Sequence, residues 1–147
     1  MHEAEIRDGH GGTDGVAGWM ANDKPLDLPR ILDRLRAFVR ERDWEQFHTP
    51  KNLSMALAAE TGELLEIFQW LTDVEAGAVM QDPAKGLAVR EEMADIFVYL
   101  LRLADVLGVD LESAVDHKLD RNAAKYPVEL ARGSARKYTE FGRDMKP

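Results

Sequence analysis

The chain has 147 residues, of which 45% are hydrophobic, 31% charged and none cysteine; that suffices for one domain with its own core and is short for two. Nineteen Lys and Arg against 27 Asp and Glu leave a net charge of −8, which argues against a general nucleic-acid binder and means that an anionic ligand needs local basic residues or a bound cation. Without cysteine, disulfides, thiolate zinc sites and a cysteine nucleophile are excluded.

Residues 1 to 25 hold Gly9, Gly11, Gly12, Gly15 and Gly18 among scattered charges, which predicts a flexible tail with no signal-peptide pattern. A first helix is predicted from Leu28, because Ile31, Leu32, Leu35, Phe38 and Val39 recur at helical spacing; it is expected to reach about Asp43. Thr49 before Pro50 is the next start signal, a hydroxyl N-cap followed by a ring that needs no amide donor at the first helical position. Leu53, Leu57, Leu64, Ile67, Phe68 and Leu71 then mark one face. Asp82 and Pro83 repeat the punctuation, and a third helix is predicted through Val89, Met93, Ile96, Phe97, Leu100 and Leu103 towards Gly108. Its longest apolar run, Ile96 to Leu101, ends at Arg102, well short of the ~20 residues of a membrane span. Asp110 caps a fourth helix that Pro127 stops after Tyr126. No stretch alternates as a strand, so the expected fold is all-α, a four-helix bundle over residues 26–127, with residues 128–147 as a C-terminal extension. A soluble, cytoplasmic protein is expected, with neither membrane nor nucleic acid as partner.

Some acids fall where water is not their obvious destination. Glu60 lies three residues after Leu57 and four before Leu64, inside the apolar stripe of the second helix, and Glu63 is one turn on. Glu92 lies four residues before Ile96, with Asp95 three residues further along. If the two helices pack antiparallel, four carboxylates converge on one small volume. Uncompensated, they would raise one another's pKa, whereas a hard cation such as Mg²⁺ or Mn²⁺ would relieve the repulsion. Ordinary solvated helix surface is the plainer reading of either pair alone; Glu66 and Glu91 flank the pairs and are not excluded from the shell. A di-iron site is a weaker alternative, since Glu45-x-x-His48 is the single match to the Glu-x-x-His pattern and His2, His10 and His117 lie elsewhere.

The E-x-x-E, 28-residue gap and E-x-x-D of Glu60, Glu63, Glu92 and Asp95 resemble the signature of the MazG-like all-α nucleoside triphosphate pyrophosphohydrolases. The segments DWEQFHTPKNL (43–53), ETGELLEIFQW (60–70), EEMADIFVYLLRLA (91–104), VDLESAVDHKLDRNAAKYP (109–127) and SARKYTEF (134–141) resemble the dCTP pyrophosphatase branch of that superfamily. The likeness covers roughly residues 28 to 141. It implies a MazG-like helical catalytic domain completed by oligomerisation, as a homodimer or homotetramer. It further implies Mg²⁺ on Glu60, Glu63, Glu92 and Asp95, and conversion of dCTP or its 5-modified analogues to the monophosphate and pyrophosphate. Such a reaction needs charge neutralisation more than covalent chemistry.

Lys118, Arg121, Asn122 and Lys125 fall at i, i+3, i+4 and i+7 on the fourth helix, a stripe of three cations and an amide. A solvated basic face is the plain reading; the resemblance of K-x-D-x-N before K-Y-P to the branch's phosphate-binding segment favours Lys118 and Asn122 as ligands. Trp44 and Trp70 are flat rings able to stack on a pyrimidine, although packing is the commoner use of a helix-end Trp. Within the blocks WEQFH and FQW the resemblance places both in the nucleoside pocket, with His48 and Tyr99. The competing functions are the same reaction on another deoxynucleoside or noncanonical triphosphate, and a non-catalytic helical interaction module.

Overall fold

The computed structural model describes residues 25–141. All but the last residue of the expected tail, and residues 142–147 of the expected extension, lie outside the described residues. The described residues contain helices and no strand. Helix α1 (Leu28–Glu41) starts where the carboxylate of Asp27 accepts the amide N–H of Arg30 at 3.0 Å. It stops two residues before the predicted end, because Asp43 turns into the left-handed region at φ 54°. A single 3₁₀ turn (Glu45–Phe47) follows.

Helix α2 (Pro50–Phe68) begins at the expected cap, with Thr49 Oγ1 accepting from the Asn52 amide at 3.2 Å. A short helix α3 (Asp73–Gly77), closed by a reciprocal Thr72 and Glu75 capping box, and a 3₁₀ turn (Val79–Gln81) fill the connection that carried no periodic signal. Helix α4 (Pro83–Leu107) is capped by Asp82, whose Oδ1 accepts from Ala84 and Lys85 at 2.9 and 3.1 Å. It ends at Gly108, which adopts φ 65° as the left-handed C-cap requires. Helix α5 (Leu111–Lys125) is capped by Asp110 and followed by two one-turn helices, α6 (Val128–Ala131) and α7 (Tyr138–Phe141).

The principal packing is α2 along α4, with α1 laid more thinly against α4 and the 79–81 turn pressed onto its start. There Gly86 eases a close approach: a Cβ would stand 3.3 Å from the carbonyl oxygen of Met80, and that backbone would have to give by a few tenths of an ångström. Val39, Leu53, Val79, Val89, Leu101, Ala104 and Phe141 are buried. Tyr126, Tyr138 and Phe141 pack edge to face, at 5.8 and 6.1 Å from Tyr126, and fix the C-terminal segment to the end of α5. All four helices expected from periodicity are present. Along α5, however, no side chain is buried, and Val115 and Leu119 are 53% and 59% exposed.

Candidate active site

Glu60 and Glu63 project from successive turns of α2, and Glu92 from α4. One carboxylate oxygen from each lies within 4.8 Å of the others. Glu60 and Glu92 are half-buried and Glu63 is exposed. Asp95, one turn after Glu92, is exposed and stands outside this tight trio, yet its charge acts on both Glu60 and Glu92. Burial first, then the charges of Glu63, Asp95 and Glu92, push the Glu60 carboxyl above the ordinary carboxylate range. Glu92 is raised likewise, by burial and then by Glu63, Asp95 and Glu91, while a hydrogen bond with Glu60 partly opposes that. Among the described residues this is the one cluster of three or more acidic or imidazole groups close enough to share an ion; Glu45 and His48 are not in it. An all-oxygen trio in which Glu60 and Glu92 are held above the ordinary carboxylate range fits a hard divalent cation, which would supply positive charge.

A cavity of about 670 Å³ opens beside Asp95, between α1 and α4. Its walls are Ile31, Arg34, Leu35, Ala37, Phe38, Val39 and Glu41 from α1, Asp95, Val98 and Tyr99 from α4, and Trp44 and His48 from the segment between α1 and α2. Local chemistry aims that segment. Asp43 accepts from Gln46 Nε2 at 3.0 Å, and the Trp44 amide donates to Val39 O at 3.0 Å, which turns the indole back towards α1. The indole meets Phe38 edge to face at 5.7 Å and lies 6.4 Å from the His48 ring. His48 is half-buried, its Nδ1 has no hydrogen-bond partner, and its pKa is lowered by burial and then by the charge of Arg102. The volume lies in the range of small-molecule pockets, and mainly apolar walls with a few polar groups at one edge are their usual construction.

The MazG-like family model matches residues 55–141 of this chain, the stretch that carries all four acids. The chain belongs to the MazG-like family. Human (Homo sapiens) dCTP pyrophosphatase 1 is 47% identical over 138 residues, covering 93% of this chain and 81% of that protein. The dCTP pyrophosphatase 1 of Rattus norvegicus is 46% identical, over 92% of this chain and 81% of its own length. A crystal structure of a pyrophosphatase from Archaeoglobus fulgidus is similar with a TM-score of 0.65 at 40% identity, covering 71% of this chain and 95% of that one.

The remaining residues singled out from the family's motifs fall elsewhere in the single chain. Trp70 sits in the turn after α2, 86% exposed, and does not line the cavity. On α5, Lys118 and Arg121 are exposed and Asn122 and Lys125 half-buried; none of the four reaches the cavity wall. The Lys125 ammonium lies 5.0 Å from the centre of the Tyr138 ring.

Two features escaped the sequence reading. Phe38, Leu35 and Ile31 form a cavity wall, whereas their helical spacing marks only an apolar face. The second is an ion cluster. Arg36 Nε of α1 donates to both carboxylate oxygens of Asp105 of α4 at 3.1 and 3.2 Å, its Nη2 donates to Oδ1, and Arg102 Nη1 donates to Oδ2 at 2.6 Å. These hydrogen bonds hold the Asp105 carboxyl below its ordinary range, Arg36 contributing most. A sequence hint existed in Tyr99, Arg102 and Asp105, polar groups at successive i+3 steps within an otherwise apolar stretch.

Proposed function

We propose that this chain hydrolyses dCTP, and 5-modified dCTP with it, to dCMP and pyrophosphate, using Mg²⁺ held by Glu60, Glu63, Glu92 and Asp95. The observation that carries the reading is the double position of Asp95. It lines the nucleoside-sized cavity and its charge also acts on Glu60 and Glu92, so a base in the cavity would leave its phosphates beside the acids. The relatives named dCTP pyrophosphatase 1 support the choice of nucleotide. Mn²⁺ is the expected substitute, since an all-oxygen shell accepts both ions.

Trp44, His48 and Tyr99 bind the nucleoside: the indole and phenol offer stacking faces, and the apolar α1 wall excludes water from the base. When bound, the cation offsets negative charge on the phosphate oxygens and activates water for attack. The carboxylates would fix where the cation sits, and through it where the phosphate chain can lie. Glu60 and Glu92, half-buried, define the inner edge, and Glu63 and Asp95 the open one.

The exposed apolar residues Val115 and Leu119 of α5 support assembly as a homodimer or homotetramer. In that assembly Lys118, Arg121, Asn122 and Lys125 bind phosphates, and Trp70 closes over a base, at a neighbouring copy's cavity. Residues 26–127 form the catalytic unit. Among the described residues no helix is long and apolar enough to cross a membrane, and absence of cysteine is compatible with the cytoplasm, where we place the protein.

Pyrophosphate release from a panel of dCTP, 5-methyl-dCTP, dUTP, dTTP and purine triphosphates, with and without Mg²⁺, tests the proposal. The expected result is Mg²⁺-dependent pyrophosphate and dCMP, fastest with the cytosine nucleotides. Release of inorganic phosphate instead, or no reaction with any nucleotide, contradicts it.

A further inference from the structure

The packing of α1 on α4 around the cavity is sparser than that of α2 on α4, and the side-chain interaction that joins the two helices most specifically is ionic. The Arg36–Asp105 pair joins residues 69 positions apart. Away from the C-terminal segment, the other ion pairs among the described residues join residues one or three apart and tie no two helices together. Asp105 is shared: its side chain is 10% exposed, and it accepts from Arg102, whose own side chain is 10% exposed.

Arg102 is a poor choice for mere solubility or surface charge. The residue is 8% exposed, and its Nε has no hydrogen-bond partner. A buried, incompletely satisfied guanidinium is costly, and such groups persist where position matters. Its neighbours along α4 show which position. Asp95, Tyr99, Arg102 and Asp105 follow one another at i+4, i+3 and i+3, a polar stripe on one helix. The first two line the cavity. His48, a third wall residue, has a buried Nδ1 without a partner, and burial first and then the Arg102 charge disfavour its protonated form. Arg36 and Asp105 themselves line a second groove at the far end of the seam, not the cavity. They therefore do not touch a nucleoside bound in the cavity.

We propose that Arg36, Asp105 and Arg102 form a clamp that sets the spacing of α1 against α4, the two helices whose facing sides wall the cavity, which makes them positioning residues for nucleoside binding. The clamp sets cavity width; the acids at the other end of the stripe keep their arrangement without it. Its consequence for nucleotide affinity rests on the reading of the cavity as the nucleoside site.

Steady-state kinetics on Arg36→Ala, Arg36→Lys and Asp105→Asn test it, because Arg36 is half-exposed and its removal leaves Asp105 paired with Arg102. The expected result for Arg36→Ala is a KM for dCTP raised about fivefold with kcat within twofold of wild type, a modest coupling of the size usual between interacting sites. Arg36→Lys recovers part of that loss, and Asp105→Asn combined with Arg36→Ala raises KM no further than the larger single effect. A KM unchanged within twofold in Arg36→Ala, or a fall in kcat at constant KM, overturns the proposal, whatever happens to melting temperature. A second measurement does not depend on activity. The chain has no cysteine, so spin labels at Arg40→Cys on α1 and Arg90→Cys on α4 report the helix separation, whose distribution broadens on Arg36→Ala and is unchanged if the clamp is idle. Should wild type release no pyrophosphate from any triphosphate, the functional reading has failed and this distance alone decides the clamp.

Discussion

Single side chains carry the chemistry, and the acids are the sharpest case. Glu60, Glu63 and Glu92 bring carboxylate oxygens within 4.8 Å of one another, so removing one charge is expected to weaken ion binding while relieving repulsion. Glu60→Gln is expected to lower kcat on dCTP by about 100-fold, the scale of losing one preorganised electrostatic partner, with the metal-free melting temperature retained or raised. A parallel fall in both stability and activity in calorimetry and kinetics would mean that Glu60 is structural. Asp105 gives the opposite electrostatic signature. Its carboxyl is held low by Arg36 and Arg102, so its contribution to stability is present in full above the ordinary carboxylate range and is lost as pH falls through the depressed value. Unfolding free energy in wild type is therefore expected to decline on acidification below about pH 5, and Asp105→Asn to remove that share of the slope in denaturant titrations at several pH values.

Elements were legible where local chemistry sets them. Thr49 with Pro50, Asp82 with Pro83, Asp110 and Gly108 each announce a helix end through a hydrogen bond or a backbone angle that depends on nearby residues alone. Helix α3 and the 3₁₀ turns, three to five residues long, are shorter than two turns, so no period can reveal them. The convergence of Glu60, Glu63 and Glu92 was legible because these acids fall within or beside apolar stripes at helical spacing; Asp95, expected with them, stands outside the tight trio. The cavity was legible only in part: Trp44, His48 and Tyr99 share its wall, but the α1 side depends on how α1 lies across α4, and the pairing of Arg36 with Asp105 has no local cue. Two substitutions separate local from tertiary stabilisation. Thr49→Ala is expected to cost about 1 kcal/mol as a lost N-cap, and Leu53→Ala, at a site 2% exposed, about 2–5 kcal/mol through the cavity it leaves. Chemical denaturation reads both, and equal costs would mean that the α2–α4 core is looser than its burial indicates.

At the scale of the whole molecule, the proposed assembly concerns surfaces that one chain leaves uncovered. Val115, Leu119 and Trp70 stay exposed, and Lys118, Arg121, Asn122 and Lys125 line neither the cavity beside Asp95 nor the second groove. Leu119→Asp is expected to shift the sedimentation coefficient to a smaller species and to lower activity together with it; an unchanged coefficient would mean that this face is not an interface. The proposed activity turns on the acids and the ion they would share with the nucleotide. Electron paramagnetic resonance titration of Mn²⁺ into wild type and Glu60→Gln, with and without dCTP, measures it most directly. The account predicts bound Mn²⁺ in wild type, tighter binding when dCTP is present, and at least a tenfold weaker affinity in Glu60→Gln, about 1.4 kcal/mol; equal affinities in the two proteins would contradict it.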